Sequence, residues 1–571
     1  MASSLAFSER ENSPMRIVIV GGVAAGMSAA ARARRLSEEA EIIVLERGEH
    51  VSFANCGLPY YLGGEIEDRA KLLVQTPASL AASLNLDVRI HHNVTGFNAS
   101  AKTVQVDTPA GSEEITYDAL VLAPGAVASR PPIGGLDKST RVRTLRTVDD
   151  AVALRTSVET GARRAVVLGA GFIGLEAAEA LAHQGLTTSI VEFAPHVLPP
   201  LENEMAALVT DELAQLGIAV YTGVSAQIIE SNTDQDIVVL SDGTRLEADV
   251  VVLSTGVRPA TAAFEASGVE CERGAIVVDG HGRTNLPDVY AAGDATVSTD
   301  AVTGVRRPVA LAGPANRAGR HIADAILRPE RARAIPMPLG TAIVRIGELT
   351  AAMTGANRAA LDAAGIRYHT LHLHPGQHAG YFPGAEQIHL IVHIRKSDGL
   401  VLGAQAVGKD GVDKRIDVLA TAIRTHMAAP DLIDLDLAYA PPYGSAKDPI
   451  NMVGMVAANV MDGLMDLWYA EDFASLRNEA LIIDVRSAGE FASGHLPGAI
   501  NVPHVELRGR IDEVREAAGG RPVRVTCQVG VRSHIANRIL AGHGFDTRSL
   551  SGGMLTALAV LGRDYMQLGE I

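Results

Sequence analysis

The chain has 571 residues, with 50 Lys and Arg against 66 Asp and Glu and a formal net charge of −16 at pH 7. At roughly 100–200 residues per domain, that length predicts about three or four domains, and 47% hydrophobic with 20% charged residues is an ordinary α/β composition. The acidic balance excludes a nucleic-acid binder built on a basic face, and no uninterrupted apolar run reaches the ~18 residues of a membrane span.

Residues 1–14, MASSLAFSERENSP, carry acidic groups and no apolar h-region. They read as a flexible tail and not a secretory signal, so a cytoplasmic location is the expectation. From Arg16 the sequence runs RIVIVGGVAAGMSAAARARRL and then EIIVLERG. A β-branched run, a Gly-rich turn, an Ala-rich helix and a second apolar run ending in Glu46 make a βαβ unit. The same grammar returns after Arg164 with AVVLGAGFIGLEAAEALAHQG and TSIVEFAP, closing on Glu192. Two such units predict two nucleotide-binding domains with parallel sheets, because the crossover is right-handed. Between residues 336 and 448, LGTAIVRIG, QIHLIVHIRK and LVLGAQAVG predict an antiparallel sheet with packed helices. A helical connector is expected over residues 451–474, followed by a self-contained α/β piece. The expected organisation is a first dinucleotide-binding domain in two parts (15–150 and 281–334) and a second at 151–280. An α+β domain follows at 335–450, then a linker helix at 451–475 and a last domain at 476–571.

Gly21, Gly22 and Gly26 lie where backbone must approach a pyrophosphate and where helix must pack on strand, with the helix N-terminus offering amides to the phosphates. Val23 stands in the place of the central Gly of G-x-G-x-x-G. Glu46 suits ribose hydroxyls. STGVRP at 254–259 and TNLPDVYAAGD at 284–294 resemble the later signatures of flavoproteins with two dinucleotide-binding domains. That resemblance implies FAD in the first site, with the Asp294 carboxylate on the ribityl chain. Gly169, Gly171 and Gly174 complete a G-x-G-x-x-G, and Glu192 ends the next strand. A carboxylate there accepts from the adenosine 2′-OH and repels a 2′-phosphate, and FAPHVLPP offers no Arg to bind one, so NADH is expected over NADPH.

Three cysteines occur, Cys56, Cys271 and Cys527, without any CxxC pair. That excludes a disulfide scaffold and a zinc or dithiol motif. No metal site is expected: His374 and His378 share an i,i+4 spacing, but Pro375 and Gly376 between them make a loop. Cys271, in GVECERGAIVVD, reads as structural. Cys56 lies in VSFANCGLPYYLGGEI. SFANCGLPYYLGG after GGVAAGMSAAARARR resembles the coenzyme A-disulfide reductase branch of the pyridine nucleotide-disulfide oxidoreductases, over roughly residues 15 to 450. Dithiol members of that family carry C-x4-C, whereas Tyr61 stands five residues after Cys56. A single cysteine holds an oxidising equivalent as a sulfenic acid, or as a mixed disulfide or persulfide with a small thiol. A helix N-terminus beginning near Gly57 is expected to stabilise its thiolate.

The resemblance further implies coenzyme A as bound substrate or carrier thiol. Ser28, Arg32, Arg35, Ser52 and Asn55 would line its channel, with the arginines on the CoA phosphates. On charge pattern alone, ARARR is equally a solvated basic face at a helix C-terminus. Asn316 replaces a His of some relatives, and Leu84 stands where a basic residue is expected. The same resemblance implies a homodimer in which Tyr381 and Tyr439 act as phenol donors at the partner subunit's Cys56, with Lys447 nearby. Tyr443 rivals Tyr439.

In the last domain, Cys527 ends a strand and opens the loop CQVGVR. Gly530 lets amides turn inward before a helix expected from Ser533, which would cradle a thiolate or persulfide in N–H groups beside Arg532. EALIIDVRSAGEFASGHLPGAINVP with VRVTCQVGVRSHIANRIL resembles a rhodanese domain, in which Asp484 and Arg486 brace the loop and His495 belongs to the GHLPGA signature. The expected fold class is thus α/β, with two Rossmann-like dinucleotide-binding domains, an α+β dimerisation domain and a C-terminal α/β rhodanese domain. The expected function is an FAD-dependent NADH:persulfide or polysulfide reductase acting through Cys56, with Cys527 handing on sulfane sulfur. The alternatives are a CoA-disulfide reductase, an NADH oxidase or peroxidase cycling Cys56 through sulfenic acid, and a sulfur-carrier or redox-sensing protein dominated by the rhodanese domain.

Overall fold

The structure is a computed structural model and describes residues 14–568; of the expected tail at 1–14, all but Pro14 lies outside the described residues. The strand Arg16–Val20 has β-branched side chains on consecutive positions and is buried along almost its whole length, as a parallel strand covered on both faces requires. It occupies the centre of a five-stranded sheet in the order Val289–Ala291, Ala119–Leu122, Arg16–Val20, Glu41–Leu45, Asp87–Arg89, with every pairing parallel. Val289–Ala291 arrives from the later segment expected to complete this domain.

The helix Ala24–Leu36 covers that sheet with an alanine face and packs on the helix Ala312–Leu327, so closely that a Cβ on Gly319 would overlap the Ala25 carbonyl. Arg34, the middle arginine of the basic run, is buried, and its guanidinium donates to the carbonyls of Ser37, Glu38, Leu84 and Asn85. A second parallel sheet runs Ala219–Thr222, Thr187–Glu192, Arg164–Leu168, Val250–Leu253, Val142–Arg143. Val142–Arg143 therefore pairs in the second sheet, although the expected boundary at 150 left it with the first. It is a two-residue, half-buried strand with no periodicity to read. Both sheets belong to one unit, made of the described residues up to Phe193 with Gly217–Asp300 and Gly304–Gly340.

The other unit comprises Ala194–Leu216, Ala301–Thr303 and the described residues from Thr341 onward. Its first sheet is antiparallel throughout, as expected, in the order Ala342–Ile346, Leu349–Gly355, Val401–Gly408, Ile388–Arg395, Tyr368–Leu373. Behind it a buried ion pair joins Arg415 to Asp448 at 2.9 Å, and Asp448 also caps the helix Pro449–Met461 by accepting from the Ile450 N–H at 3.0 Å. The last sheet is parallel, in the order Leu467–Trp468, Thr547–Leu550, Val523–Thr526, Leu481–Asp484, Ile500–Asn501.

The single linker helix expected over 451–475 is not present. Helix ends at Met461, Gly463 takes a left-handed φ of +68°, and Leu467–Trp468 is already a strand of the last sheet. Trp468 is buried, with its indole N–H donating to the Val525 carbonyl at 3.3 Å. No helix of the described residues is long and apolar enough to cross a membrane.

Candidate functional site

The first Gly-rich turn is shaped by its neighbours. Gly21 has φ +98°, and a Cβ there would overlap the Ala123 carbonyl, while one on Gly26 would overlap the Gly21 carbonyl. Gly22 donates its N–H to Glu46 Oε2 at 2.8 Å, and Gly48 donates to Oε1 at 2.8 Å, so the carboxylate is held at the mouth of the turn. The helix Ala24–Leu36 has no side-chain cap, which leaves its leading amides for an anion. Asp294 lies in the turn Gly293–Ala295, against the start of that helix: a Cβ on Gly293 would sit 3.2 Å from Ala25 Cβ. Its carboxylate meets Arg146 Nη2 at 3.4 Å, a partner that no motif signals.

The second turn repeats the design. Gly169 has φ +105°, and a Cβ on Gly174 would overlap the Gly169 carbonyl. Glu192 Oε2 accepts from the Ala170 N–H at 2.6 Å. Gly171 is different, because among the described residues, its own chain neighbours aside, no heavy atom lies within 4 Å of where its Cβ would be. Ser254, read above as part of a signature for the first site, donates to the carbonyls of Leu168 and Gly169 and so braces the second.

Cys56 is exposed and unpaired in the turn Asn55–Gly57, and no disulfide joins the three cysteines. Tyr61 is buried, with Arg155 stacked 4.7 Å from its ring centroid and donating to its carbonyl. The expected helix support for the thiolate needs correction. The helix Leu58–Leu62 is five residues long, too short to build a large dipole. Partial burial, and after it the Glu176 carboxylate, instead push the Cys56 thiol up.

The residues assigned to a CoA channel fare unevenly. Ser28 Oγ donates to Asn316 Oδ1 at 2.5 Å, which brings those two together. Arg32 is tied to Asp324 at 2.6 Å, whereas Arg35 donates to the Ala31 carbonyl and meets no carboxylate among the described residues. Ser52 takes φ +46° and donates its N–H to the Gly22 carbonyl, fixing the Cys56 segment to the first Gly-rich turn. In the other unit, the hydroxyls of Tyr381 and Tyr439 lie 3.0 Å apart on exposed side chains, and this hydrogen bond pushes the Tyr381 phenol up. Tyr443 and Lys447 are exposed. His374 and His378 are loop residues, as expected.

Cys527 is buried, and the Gly530 N–H reaches its Sγ at 3.2 Å while Ser533 Oγ lies at 3.5 Å. Gly530 has φ +99° and caps the helix Val531–Gly542, which starts two residues earlier than expected. The expected cradle of several N–H groups is, among the described residues, a single amide, because the Ser533 hydroxyl accepts from the thiol and donates to the Gly530 carbonyl. Arg532 forms a two-bond pair with Glu490, at 2.8 and 2.6 Å, and holds that carboxylate down to about 2. Asp484 and Arg486 form a buried pair at 2.7 Å, and Arg486 also donates to Gln528 in the Cys527 loop, as bracing demands. His495 stacks on Phe491 with centroids 3.7 Å apart.

Comparison with known proteins agrees with this architecture. The pyridine nucleotide-disulphide oxidoreductase family matches residues 15–319, the dimerisation domain of that family residues 341–448, and the rhodanese-like domain residues 469–556. A coenzyme A disulfide reductase of Staphylococcus epidermidis is 34% identical over 447 residues, covering 77% of this chain and 99% of the relative. The crystal structure of reduced Bacillus anthracis CoADR-RHD is 39% identical with a TM-score of 0.94, covering 97% of this chain and 99% of that one. The structure of a NAD-dependent persulfide reductase from A. fulgidus is 38% identical with a TM-score of 0.87, covering 95% and 100%. The chain belongs to the pyridine nucleotide-disulphide oxidoreductase family, as a flavoprotein oxidoreductase that carries a rhodanese-like domain.

Proposed function

We propose that the chain uses NADH to reduce a sulfane-sulfur compound, with a persulfide of coenzyme A as the substrate class and Cys56 as the reacting thiol. The observation that carries this reading is the exposed, unpaired Cys56, which has no second thiol to close a ring and stands in one chain with the separate thiol of Cys527. The first Gly-rich turn, with its uncapped helix start, Glu46 and Asp294, fits the FAD that the family implies. When bound there, FAD relays two electrons from the nicotinamide to a sulfur atom. The second turn fits NADH: Gly171 leaves room for a pyrophosphate, and Glu192 offers a carboxylate to a ribose.

Cys56, as the thiolate, attacks the CoA-bound sulfur of the persulfide. That S–S bond breaks, hydrosulfide leaves, and a Cys56–CoA mixed disulfide forms. Two electrons that originate in NADH, with two protons, cleave the mixed disulfide to the Cys56 thiol and free CoA thiol. In a homodimer, the Tyr381–Tyr439 pair would supply a phenol proton to a leaving thiolate at the partner subunit's Cys56. Ser28, Ser52, Asn55 and Arg35, which meets no carboxylate among the described residues, are the proposed CoA contacts, and Lys447 a further one. Arg32 would have to leave Asp324 to join them. Cys527 would accept sulfane sulfur and pass it to the carrier thiol.

CoA-disulfide reduction is the second reading, favoured by the name of the Staphylococcus epidermidis relative. NADH oxidation measured with CoA persulfide, CoA disulfide and hydrogen peroxide in turn separates the readings. The expected order puts the persulfide first, with Cys56→Ser removing its turnover while the flavin absorbance stays. Faster turnover of peroxide or of CoA disulfide overturns it.

A further inference from the structure

Behind the Cys527 loop lies a buried polar cluster from the dimerisation sheet. His372, on the strand Tyr368–Leu373, places Nδ1 2.8 Å from Ser551 Oγ and Nε2 2.8 Å from Glu204 Oε1. Its backbone N–H also donates to Ser551 Oγ at 3.2 Å. Glu204 is paired in turn with Arg358, which reaches Glu471 at 2.8 Å. Just past the strand, His374 places Nε2 2.9 Å from Thr556 Oγ1 and Nδ1 2.8 Å from His389 Nδ1. Burial opposes ionisation of Glu204, but the hydrogen bond and charge of His372 and the charge of Arg358 hold it down to about 2. Burial, then His389 and His372, hold His374 well below the usual range, so it meets Thr556 as a neutral ring.

The partners of these two histidines on the rhodanese side lie within residues 551–556, and that segment also carries the Cys527 loop. Met554 donates its N–H to the Cys527 carbonyl at 2.8 Å, and Leu555 donates to the Gln528 carbonyl at 3.2 Å. The packing between the two sets of bonds has no slack. A Cβ on Gly552 would overlap Thr556 Oγ1, stand 2.6 Å from His372 Cβ and stand 3.0 Å from His374 Nε2. On the other side, a Cβ on Gly553 would overlap the Cys527 carbonyl and come within 2.8 Å of the Gln528 carbonyl.

We propose that His372 and His374 are positioning residues for Cys527: held by the dimerisation sheet, they fix residues 551–556, and the bonds of that segment to the Cys527 and Gln528 carbonyls set where Sγ meets the Gly530 N–H. The inference rests on the reading of Cys527 as the sulfur-carrying thiol. It makes the rhodanese chemistry depend on side chains outside the rhodanese domain.

An alanine at 372 would leave Glu204 buried without its imidazole, so the test uses Thr556→Val, which keeps shape but removes the bond to His374, together with His374→Gln. In the full-length holoenzyme, alkylation of Cys527 by iodoacetamide is followed against pH by peptide mass spectrometry, with Cys56 alkylation as the internal control. Thr556→Val should change the Cys527 rate by about fivefold, the factor expected from losing one net hydrogen bond, and both variants should leave the Cys56 rate unaltered. His374→Gln, whose amide can still donate to Thr556, should be the milder of the two. An unchanged Cys527 profile with a lowered melting temperature would mark the cluster as structural only and overturn the proposal. Cys527→Ser tests the underlying reading separately: if transfer of sulfane sulfur from inorganic polysulfide to cyanide survives it, Cys527 is not the carrier, whatever the histidine variants do.

Discussion

Replacing Gly171 by alanine should leave the fold intact and weaken the binding of NADH. Gly171 sits at φ −76° and ψ −176°, extended backbone that any residue adopts, and its Cβ would meet no protein atom within 4 Å. Nothing among the described residues therefore demands glycine there. Gly174, three residues on, is the contrast, because a Cβ would strike the Gly169 carbonyl and come within 2.8 Å of Ser254 Oγ. An unstrained Gly→Ala change stabilises a protein by about 0.4–1 kcal/mol, through the unfolded chain. The added methyl would occupy the space through which a pyrophosphate reaches the first amides of the helix Phe172–His183. Losing one hydrogen bond to a charged group is worth about 1.5–3 kcal/mol, or roughly 10–150-fold in dissociation constant. Titration of NADH into the full-length protein, beside a thermal melt, reads both quantities. Affinity within about twofold of the parent, with an equal or higher melting temperature, would refute the assignment of this turn.

Two other outcomes follow from buried or partly buried charge. Glu176→Gln removes a carboxylate that pushes the Cys56 thiol up. More thiolate should then be present at any given pH, and the alkylation midpoint of Cys56 should move to lower pH. A midpoint that stays in place or rises contradicts the electrostatic account. Asp448→Ala strips the partner from the buried Arg415 and the cap from the helix Pro449–Met461. A loss of about 3–5 kcal/mol is expected, read from denaturant unfolding of the cooperative transition that includes this domain, and a loss below about 1 kcal/mol would show the pair to be dispensable.

Features that repeat along the chain were legible before any coordinates. The two βαβ units, the carboxylates ending their second strands and the antiparallel sheet all follow from hydrophobic period and glycine placement, which are local properties. What escaped depends on distant partners. Arg34 reads like its neighbours in ARARR, yet it is the buried member because carbonyls of residues 37–38 and 84–85 surround it. Leu467–Trp468 reads as the tail of a helix, since two residues carry no period and their pairing partner lies some 80 residues later. Ser254 reads as part of a signature for the first turn, yet its hydroxyl braces the second, because it follows the strand Val250–Leu253 that pairs with Arg164–Leu168. At Cys56 the motif was readable, but the balance of burial and a carboxylate from another helix was not.

The chain holds one tryptophan, and its indole is locked to the carbonyl two residues before Cys527. The protein thereby carries a built-in optical probe of a single domain. Ultraviolet emission should follow the opening or tightening of the strand that delivers the second thiol, whereas visible absorbance of a bound flavin would follow events around the first. One cuvette could then time the two halves of the molecule against each other without any added dye.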